Sequence, residues 1–192
     1  MLPHLRFPPE LLLKAQGDGL GLKAAIFDVD GVLTDGRIYV GEQGESFKAF
    51  STLDGQGLKL LVQAGITPIV ITGRDSPAVR RRMADLGLQY AVYGIKNKLA
   101  AAEPLLAQLG LRWSEVAAMG DDWPDLPLMV LAAFACAPPQ AHAEVRAVAQ
   151  HLTLAAAGHG AAREFCDILL MACGRYAGLL AGHLDTLDQD PR

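Results

Sequence analysis

The sequence lacks several features that would point to secretion, membrane insertion or nucleic-acid binding. Only three cysteines occur among its 192 residues, an odd number without the spacing of metal ligands. No apolar run approaches the roughly 20 residues of a membrane-spanning helix, and the first residues lack the continuous apolar core of a signal peptide. The formal net charge of -4 gives no electrostatic reason to expect nucleic acid or an anionic membrane as a partner. We therefore expect a cytoplasmic protein whose thiols, Cys136, Cys166 and Cys173, are reduced and buried.

The residues that are present suit one full-sized domain spanning 1–192. Hydrophobic residues make up 51% of the chain and charged residues 20%, which is typical of a compact protein with a sizeable core. Extended, β-rich runs alternate with helical patterns along most of the chain. That alternation predicts an α/β fold: a Rossmann-like open parallel sheet with helices on both faces.

The individual elements follow from apolar periodicity and from proline and glycine positions. Strands are predicted at 23–27, 67–72, 89–94, 115–120, 134–138 and 151–154, and a β-hairpin insertion at 37–50 turning at 41–44. Helices are predicted at 10–16, 58–64, 75–87, 97–110, 125–132 and 141–149, and a long amphipathic one from 160 to about 183. Within the fourth of these helices, Pro104 should either start a new helix or kink the existing one.

Polar residues follow four of the predicted strands. In open parallel sheets, ligands bind beyond the carboxyl ends of the strands, where the strand order switches. We therefore expect four groups to share one crevice: Asp28 with Asp30, Thr72 to Arg74, Lys98, and Asp121 with Asp122 and Asp125. Taken singly, each group is also typical of an ordinary turn or a solvated helix start, and it is their order and placement that favour a site.

The residue types in this crevice indicate metal-assisted phosphoryl chemistry. Two carboxylates about 4 Å apart repel by roughly 4 kcal/mol at an effective dielectric constant near 20, and Mg²⁺ is a cation that would cancel this repulsion. The Thr72 hydroxyl and the Lys98 ammonium suit a phosphoryl group. Asp28 can then attack phosphorus to form an acyl phosphate, while Asp30 protonates the leaving oxygen and later activates water.

Four segments, in order, resemble the motifs of the haloacid dehalogenase superfamily of phosphatases: DVDGVLTDG, ITGR, NKL and GDDWPDLPLM. The TDG ending, the hairpin and the segment GHGAAREFCDILL are more narrowly similar to the 3-deoxy-D-manno-octulosonate (Kdo) 8-phosphate phosphatase family of lipopolysaccharide biosynthesis. The resemblance implies Mg²⁺-dependent hydrolysis of Kdo 8-phosphate, a sugar-acid phosphate, through an aspartyl phosphate. An alternative is a phosphatase for a nonulosonate 9-phosphate or another small sugar phosphate.

The resemblance also implies a role for each site residue. Asp28 matches the nucleophile and a metal ligand, and Asp30 matches the acid/base, which contacts substrate and binds metal through its backbone carbonyl. Asp121 matches the metal carboxylate, with Asp122 and Asp125 in support. Thr72 and Lys98 match the phosphate-binding positions, Lys98 also being catalytic, and the sugar-acid positions fall on Ser51, Lys59, Arg74 and Arg82. The chain departs from the family pattern on the sugar side: Ser51 replaces Asn, Lys59 replaces Arg, and Leu53 and His159 each replace Arg.

The spacing of the motifs leaves no room for a cap domain over the crevice. Asp30 and Thr72 are separated only by the hairpin and one helix, and Thr72 and Lys98 only by one helix and one strand. The resemblance implies that a homotetramer closes the site instead, with hairpins packed together and a neighbour's C-terminal segment, within 160–192, reaching in. The apolar hairpin side chains are compatible with this, although the hairpin could also fold back onto its own domain. A binding module without turnover is disfavoured because no core catalytic residue is missing, and a nucleotide-binding redox domain because no G-x-G-x-x-G follows the first strand.

Overall fold

The computed structural model describes residues 21–185. The strands are β1 (Ala24–Phe27), β2 (Tyr39–Gly41), β3 (Gly44–Phe47), β4 (Thr67–Ile71), β5 (Tyr90–Val92), β6 (Val116–Met119), β7 (Phe134–Ala137) and β8 (His151–Leu152). The α-helices are α1 (Thr52–Gln63), α2 (Pro77–Asp85), α3 (Lys98–Leu109), α4 (Leu126–Leu131), α5 (Ala143–Val148), α6 (Ala161–Ala172) and α7 (Tyr176–Asp185). Short 3₁₀ turns cover Trp113–Glu115 and Trp123–Asp125.

Six of the strands form one parallel sheet in the order β5-β4-β1-β6-β7-β8. β1 lies at the centre, with Ala24 in register with Thr67 of β4 on one side and Val116 of β6 on the other. β1 and β6 are buried at every position, as expected for strands that helices cover on both faces. The predicted Rossmann-like parallel sheet is confirmed. The order switches between β4 and β6 around β1, which places the crevice at the end of β1.

Alternate side chains of each central strand belong to opposite cores. Phe27 of β1 points to the side covered by α1, α2 and α6, where its ring meets Phe165 edge-on at 5.5 Å. Ile26 of the same strand points to the side covered by α3, α4 and α5. This period of two is what a strand requires when both of its faces are covered.

Several predicted helix boundaries are wrong. α1 begins at Thr52 instead of residue 58, because the Ser51 hydroxyl accepts a hydrogen bond from the Asp54 N–H (3.4 Å) and caps the helix. α3 runs through Pro104 without a new helix starting there. The predicted long C-terminal helix is two helices, α6 and α7, because Gly174 adopts a positive φ of 67° between them. The helix predicted at 10–16 lies outside the described residues.

Within 21–185, no single helix is both long and apolar enough to cross a membrane. α6 and α7 reach that length and composition only as a pair, and their axes are bent by 107° at the break. α6 is also buried along ten of its twelve positions and supplies much of one core.

The hairpin β2–β3 is antiparallel and separate from the main sheet. Its outward face carries the stacked rings of Tyr39 and Phe47, whose centroids are 4.5 Å apart. Phe47 is 56% exposed and Val40 is 74% exposed. The hairpin is present where the sequence predicts it, and its two strands extend into the predicted 41–44 turn, the first to Gly41 and the second from Gly44.

Candidate active site

Asp28 and Asp30 lie in a tight turn that follows β1. The Asp28 N–H donates to the Met119 carbonyl (3.2 Å), which continues the sheet pairing for one residue. The chain then folds back, and the Val29 carbonyl accepts from the N–H groups of Leu33 (2.9 Å) and Thr34 (3.0 Å). The turn therefore holds Asp28 at the end of the central strand, at the edge where the crevice lies.

Asp121 packs directly against the backbone of this turn. Gly31 has a φ of +92°, and a Cβ added there would lie 2.0 Å from Asp121 Oδ2. Only glycine allows both the backbone conformation and this close approach. On the other side, the Asp121 carbonyl accepts from the His142 N–H (2.8 Å), which fixes the loop after β6.

Asp125 organises the same loop. Its Oδ2 accepts from the N–H groups of Asp121 (3.1 Å) and Asp122 (3.4 Å), and its Oδ1 faces Lys98. Gly120 is required beside it, because a Cβ at that position would lie 2.3 Å from the Asp125 Cβ. Asp125 is thus a buried support for the Asp121 backbone, in keeping with its predicted role.

Lys98 contacts two of the clustered carboxylates. It occupies the first turn of α3, where the Asn97 side chain caps the helix by accepting from the Ala100 N–H (3.1 Å). Its Nζ lies 2.7 Å from Asp28 Oδ1 and 2.6 Å from Asp125 Oδ1. Burial opposes the charge of this ammonium, but the carboxylates of Asp28 and Asp125 outweigh it and raise the Lys98 pKa above its usual value.

The carboxylates have the arrangement that a cation would stabilise. One oxygen from each of Asp28, Asp121 and Asp125 lies within 4.8 Å of the others. Burial, and then the charges of neighbouring aspartates, raise the pKa of Asp28 to about 7 and that of Asp121 to about 8. Asp121 Oδ1 is buried and has no hydrogen-bond partner among the described residues. A site with only oxygen ligands, one of them a buried oxygen that has no hydrogen-bond partner, fits Mg²⁺. Asp28 and Asp121 are the carboxylates that could hold the ion.

Thr72 and Arg74 follow β4 on the other side of β1. The Thr72 N–H donates to the Val92 carbonyl (3.0 Å), and the Thr72 hydroxyl accepts from the Arg74 N–H (3.3 Å). Arg74 Nε lies 3.9 Å from Asp30 Oδ2, so this loop and the turn after β1 face each other. The structure thus brings Thr72 and Arg74 to the side of the crevice opposite Asp121.

Comparisons with known proteins agree with this geometry. A family model described as haloacid dehalogenase-like hydrolase matches residues 94–165. The 3-deoxy-D-manno-octulosonate 8-phosphate phosphatase of Salmonella typhimurium is 40% identical over 167 residues, which cover 87% of each chain. The chain belongs to the Kdo 8-phosphate phosphatase family.

Solved structures of Kdo 8-phosphate phosphatases have the same fold. The enzyme from Moraxella catarrhalis, in complex with magnesium, phosphate and Kdo, matches with a TM-score of 0.85 and 37% identity, over 91% of this chain and 98% of that one. A cobalt-bound enzyme from Haemophilus influenzae matches with a TM-score of 0.80 and 38% identity, over 86% and 93% of the two chains. Membership of this phosphatase family makes the chain an enzyme, and the predicted resemblance is confirmed.

The predicted sugar-acid residues have different surroundings from one another. Arg82 donates from Nη2 to the Ser51 carbonyl (3.2 Å), and its guanidinium carbon lies 5.9 Å from the centre of the Phe50 ring. The structure therefore joins Arg82 and Ser51 where the chain leaves the hairpin. Lys59 is exposed on α1, and its side chain forms no hydrogen bond or ion pair with another residue within 21–185. Its predicted role in binding substrate stays a prediction.

The two remaining family departures lie near the start of α6. Asp54 accepts from the N–H groups of Gly160 (3.3 Å) and Arg163 (2.8 Å), so a residue of α1 caps α6. Leu53 is 57% exposed beside this cap, and His159 is exposed just before Gly160. Leu53 and His159, the two positions where the resemblance implies arginines, thus lie near each other at the start of α6.

Two residues that the sequence did not single out also reach the site. Lys48, just after β3, contacts Asp30 Oδ1, and its side chain is entirely shielded from solvent. Glu45 of β3 accepts from Arg74 Nη2 (3.2 Å) and from the Ser76 hydroxyl. The sequence offered one signal, the alternation of apolar Phe47 with charged Lys48. Such alternation normally predicts a buried phenylalanine and an exposed lysine, but here the phenylalanine is exposed and the lysine is covered. The hairpin therefore does contact its own domain, through its charged face.

Proposed function

We propose that this protein hydrolyses Kdo 8-phosphate to Kdo and phosphate, with Mg²⁺ as cofactor, as a step of lipopolysaccharide biosynthesis in the cytoplasm. The observation that carries the proposal is the cluster of Asp28, Asp121, Asp125 and Lys98 at the end of β1. Relatives with about 40% identity bear this activity in their names. The residues that differ from the family pattern lie at the sugar-acid positions, and they do not change the phosphoryl chemistry.

Mg²⁺ would be held by the carboxylates of Asp28 and Asp121 and by the Asp30 carbonyl, and it would supply positive charge beside the phosphoryl oxygens. Lys98 orients Asp28 through the 2.7 Å contact and favours its ionised form, which is the form that attacks phosphorus. Thr72 and Lys98 bind the phosphoryl oxygens. Asp30 gives a proton to the departing sugar oxygen and then takes one from the water that hydrolyses the aspartyl phosphate.

The runner-up is the same chemistry on a nonulosonate 9-phosphate. It is kept because Ser51, Leu53, Lys59 and His159 differ from the family pattern on the sugar side, while the phosphoryl-binding residues do not differ. Phosphate binding is common to both substrates, so the sugar-side contacts decide between them.

The hairpin supports a homotetramer. Ile38, Tyr39, Val40 and Phe47 expose between 36% and 74% of their surface, and the rings of Tyr39 and Phe47 are stacked on each other. Exposed apolar side chains of this size are typical of a protein–protein contact. Packing of hairpins from four chains would cover it and close the crevice without a cap domain.

A substrate panel tests the proposal. Kdo 8-phosphate, a nonulosonate 9-phosphate and p-nitrophenyl phosphate are assayed with Mg²⁺, after exhaustive chelation, and after Mg²⁺ is restored. We expect the highest kcat/KM for Kdo 8-phosphate, loss of activity with chelator and full recovery with Mg²⁺. Faster turnover of the nonulosonate ester would move the protein to the runner-up, and activity undiminished by chelation would contradict the metal site.

A further inference from the structure

Lys48 is a buried cation at the active site that the reaction described so far does not use. Its side chain has no exposed surface, and its Nζ contacts Asp30 Oδ1 and lies 3.2 Å from Glu45 Oε2. Removing an ammonium from water is costly unless anionic partners surround it. The position of Lys48 among these carboxylates is therefore a specific feature of the fold.

Glu45 holds Lys48 in place and joins it to the opposite wall. The Glu45 carboxylate accepts from Arg74 Nη2 (3.2 Å) and from the Ser76 hydroxyl, both of which follow β4. Arg74 Nε in turn lies 3.9 Å from Asp30 Oδ2. Asp30, Lys48, Glu45 and Arg74 thus form a closed ring of alternating charge that ties the hairpin across the crevice.

The two carboxylate oxygens of Asp30 differ in their contacts. Oδ1 is anchored by Lys48, whereas Oδ2 is buried and has no hydrogen-bond partner among residues 21–185. Arg74 lies 3.9 Å from Oδ2, too far for a hydrogen bond, and a buried carboxylate oxygen that accepts no hydrogen bond calls for an explanation. A substrate oxygen in the crevice would be such a partner.

We infer that Lys48 is a positioning residue that fixes Asp30 through Oδ1 and reserves Oδ2 for proton transfer. This inference rests on the proposed function. In the first step an Asp28 oxygen bonds to phosphorus, the ester P–O bond breaks with its electron pair going to the leaving oxygen, and that oxygen takes the proton from Asp30 Oδ2. In the second step, water attacks phosphorus, its proton goes to Oδ2, and the Asp28–phosphorus bond breaks.

The competing explanation is that Lys48 only anchors the hairpin. The two roles differ in how they depend on the leaving group. Protonation of the leaving oxygen matters most for a poor leaving group and little for a good one. A loss of acid catalysis therefore lowers the rate far more for poor leaving groups than for good ones. A loss of hairpin packing would lower the rate equally for every leaving group.

The test measures kcat/KM for a series of aryl phosphates whose phenols differ in pKa. Lys48→Met should steepen the dependence on leaving-group pKa as Asp30→Asn does, with at least about tenfold more loss on the poorest leaving group than on p-nitrophenyl phosphate. Lys48→Arg should restore the wild-type slope, and Glu45→Gln should steepen it partially. Lys23→Met is the matched control, because Lys23 pairs with Glu115 (2.7 Å) at the opposite end of β1 and should leave the slope unchanged.

An unchanged slope in Lys48→Met and Glu45→Gln, whatever the fall in rate, would overturn the inference. Thermal unfolding of each variant shows whether that fall reflects lost folding. The series contains no sugar, so the slope is independent of the choice between Kdo 8-phosphate and other substrates. A wild-type enzyme that hydrolyses the aryl series but shows no preference for Kdo 8-phosphate would refute the proposed substrate and leave the role of Lys48 intact.

Discussion

Replacing Asp121 by asparagine should stabilise the metal-free protein, and increasingly so as the pH rises. Burial, and then the charges of Asp28 and Asp125, raise the pKa of Asp121 from 3.8 to about 8. A group with a raised folded-state pKa contributes stability that is complete below its unfolded pKa and is lost as the pH rises through its folded pKa. The wild type therefore loses stability from about pH 4 to about pH 8, whereas the Asp121→Asn protein loses less.

The size of the effect follows from the pKa difference. One pKa unit corresponds to about 1.4 kcal/mol, so the three pH units between about pH 5 and pH 8 can change the difference in unfolding free energy by about 4 kcal/mol. Mg²⁺ should narrow this difference, because a ligand at 100 times its Kd stabilises the wild type by about 2.7 kcal/mol, whereas the variant has lost a proposed ligand.

Urea unfolding followed by circular dichroism, with chelator and then with Mg²⁺, measures both effects. Asp122→Asn is the matched control, because Asp122 is the exposed next residue and its loss should leave the pH dependence close to that of the wild type. A difference between wild type and Asp121→Asn that does not vary with pH would refute the electrostatic reasoning. Equal stabilisation of both by Mg²⁺ would remove Asp121 from the metal site.

Three further predictions concern specificity, assembly and metal binding. Arg82→Ala should lower kcat/KM for Kdo 8-phosphate much more than for p-nitrophenyl phosphate, which has no carboxylate. The control Arg81→Ala, at an exposed residue, should alter kcat/KM for neither substrate. Equal losses of kcat/KM on both substrates in Arg82→Ala would assign Arg82 to the phosphate or the fold. Phe47→Glu should split the proposed tetramer in light scattering and lower activity with it, and a fully active wild-type monomer would contradict this. Gly31→Ala should weaken Mg²⁺ binding in calorimetry, because its methyl would strike the carboxylate of Asp121, the proposed metal ligand. Gly44→Ala, also at a positive φ but in open space, controls for backbone strain, and equal affinity in both variants would be evidence against that contact.

The sheet and the catalytic cluster could be predicted from the sequence because both depend on local pattern plus one topological rule. Each central strand is a short apolar run, and strands alternating with helices pair in parallel. Asp28, Thr72, Lys98 and Asp121 each follow a strand, so the rule that ligands bind at the carboxyl ends already places them together.

The features that could not be predicted depend on contacts between distant residues. α1 starts early although Gly55 and Gly57 disfavour a helix, because both glycines lie against neighbours: a Cβ at Gly55 would be 2.3 Å from Arg82 Nη2, and one at Gly57 3.1 Å from Cys166 Sγ. Lys48 reaches the site through Asp30, which is 18 residues away along the chain. No local pattern shows that an alternating hairpin will bury its charged face and expose its rings.

Asp28 is the residue that we propose carries the phosphoryl group during turnover. Wild-type enzyme turning over Kdo 8-phosphate with Mg²⁺ is quenched in acid and digested, and the peptide that contains Asp28 is analysed by mass spectrometry, with Asp28→Asn treated identically. We predict phosphate on Asp28 in the wild type, and neither phosphate nor hydrolysis in the nearly isosteric Asp28→Asn protein, whose amide cannot attack phosphorus. Substantial hydrolysis by Asp28→Asn, or phosphate on another residue, would contradict the account.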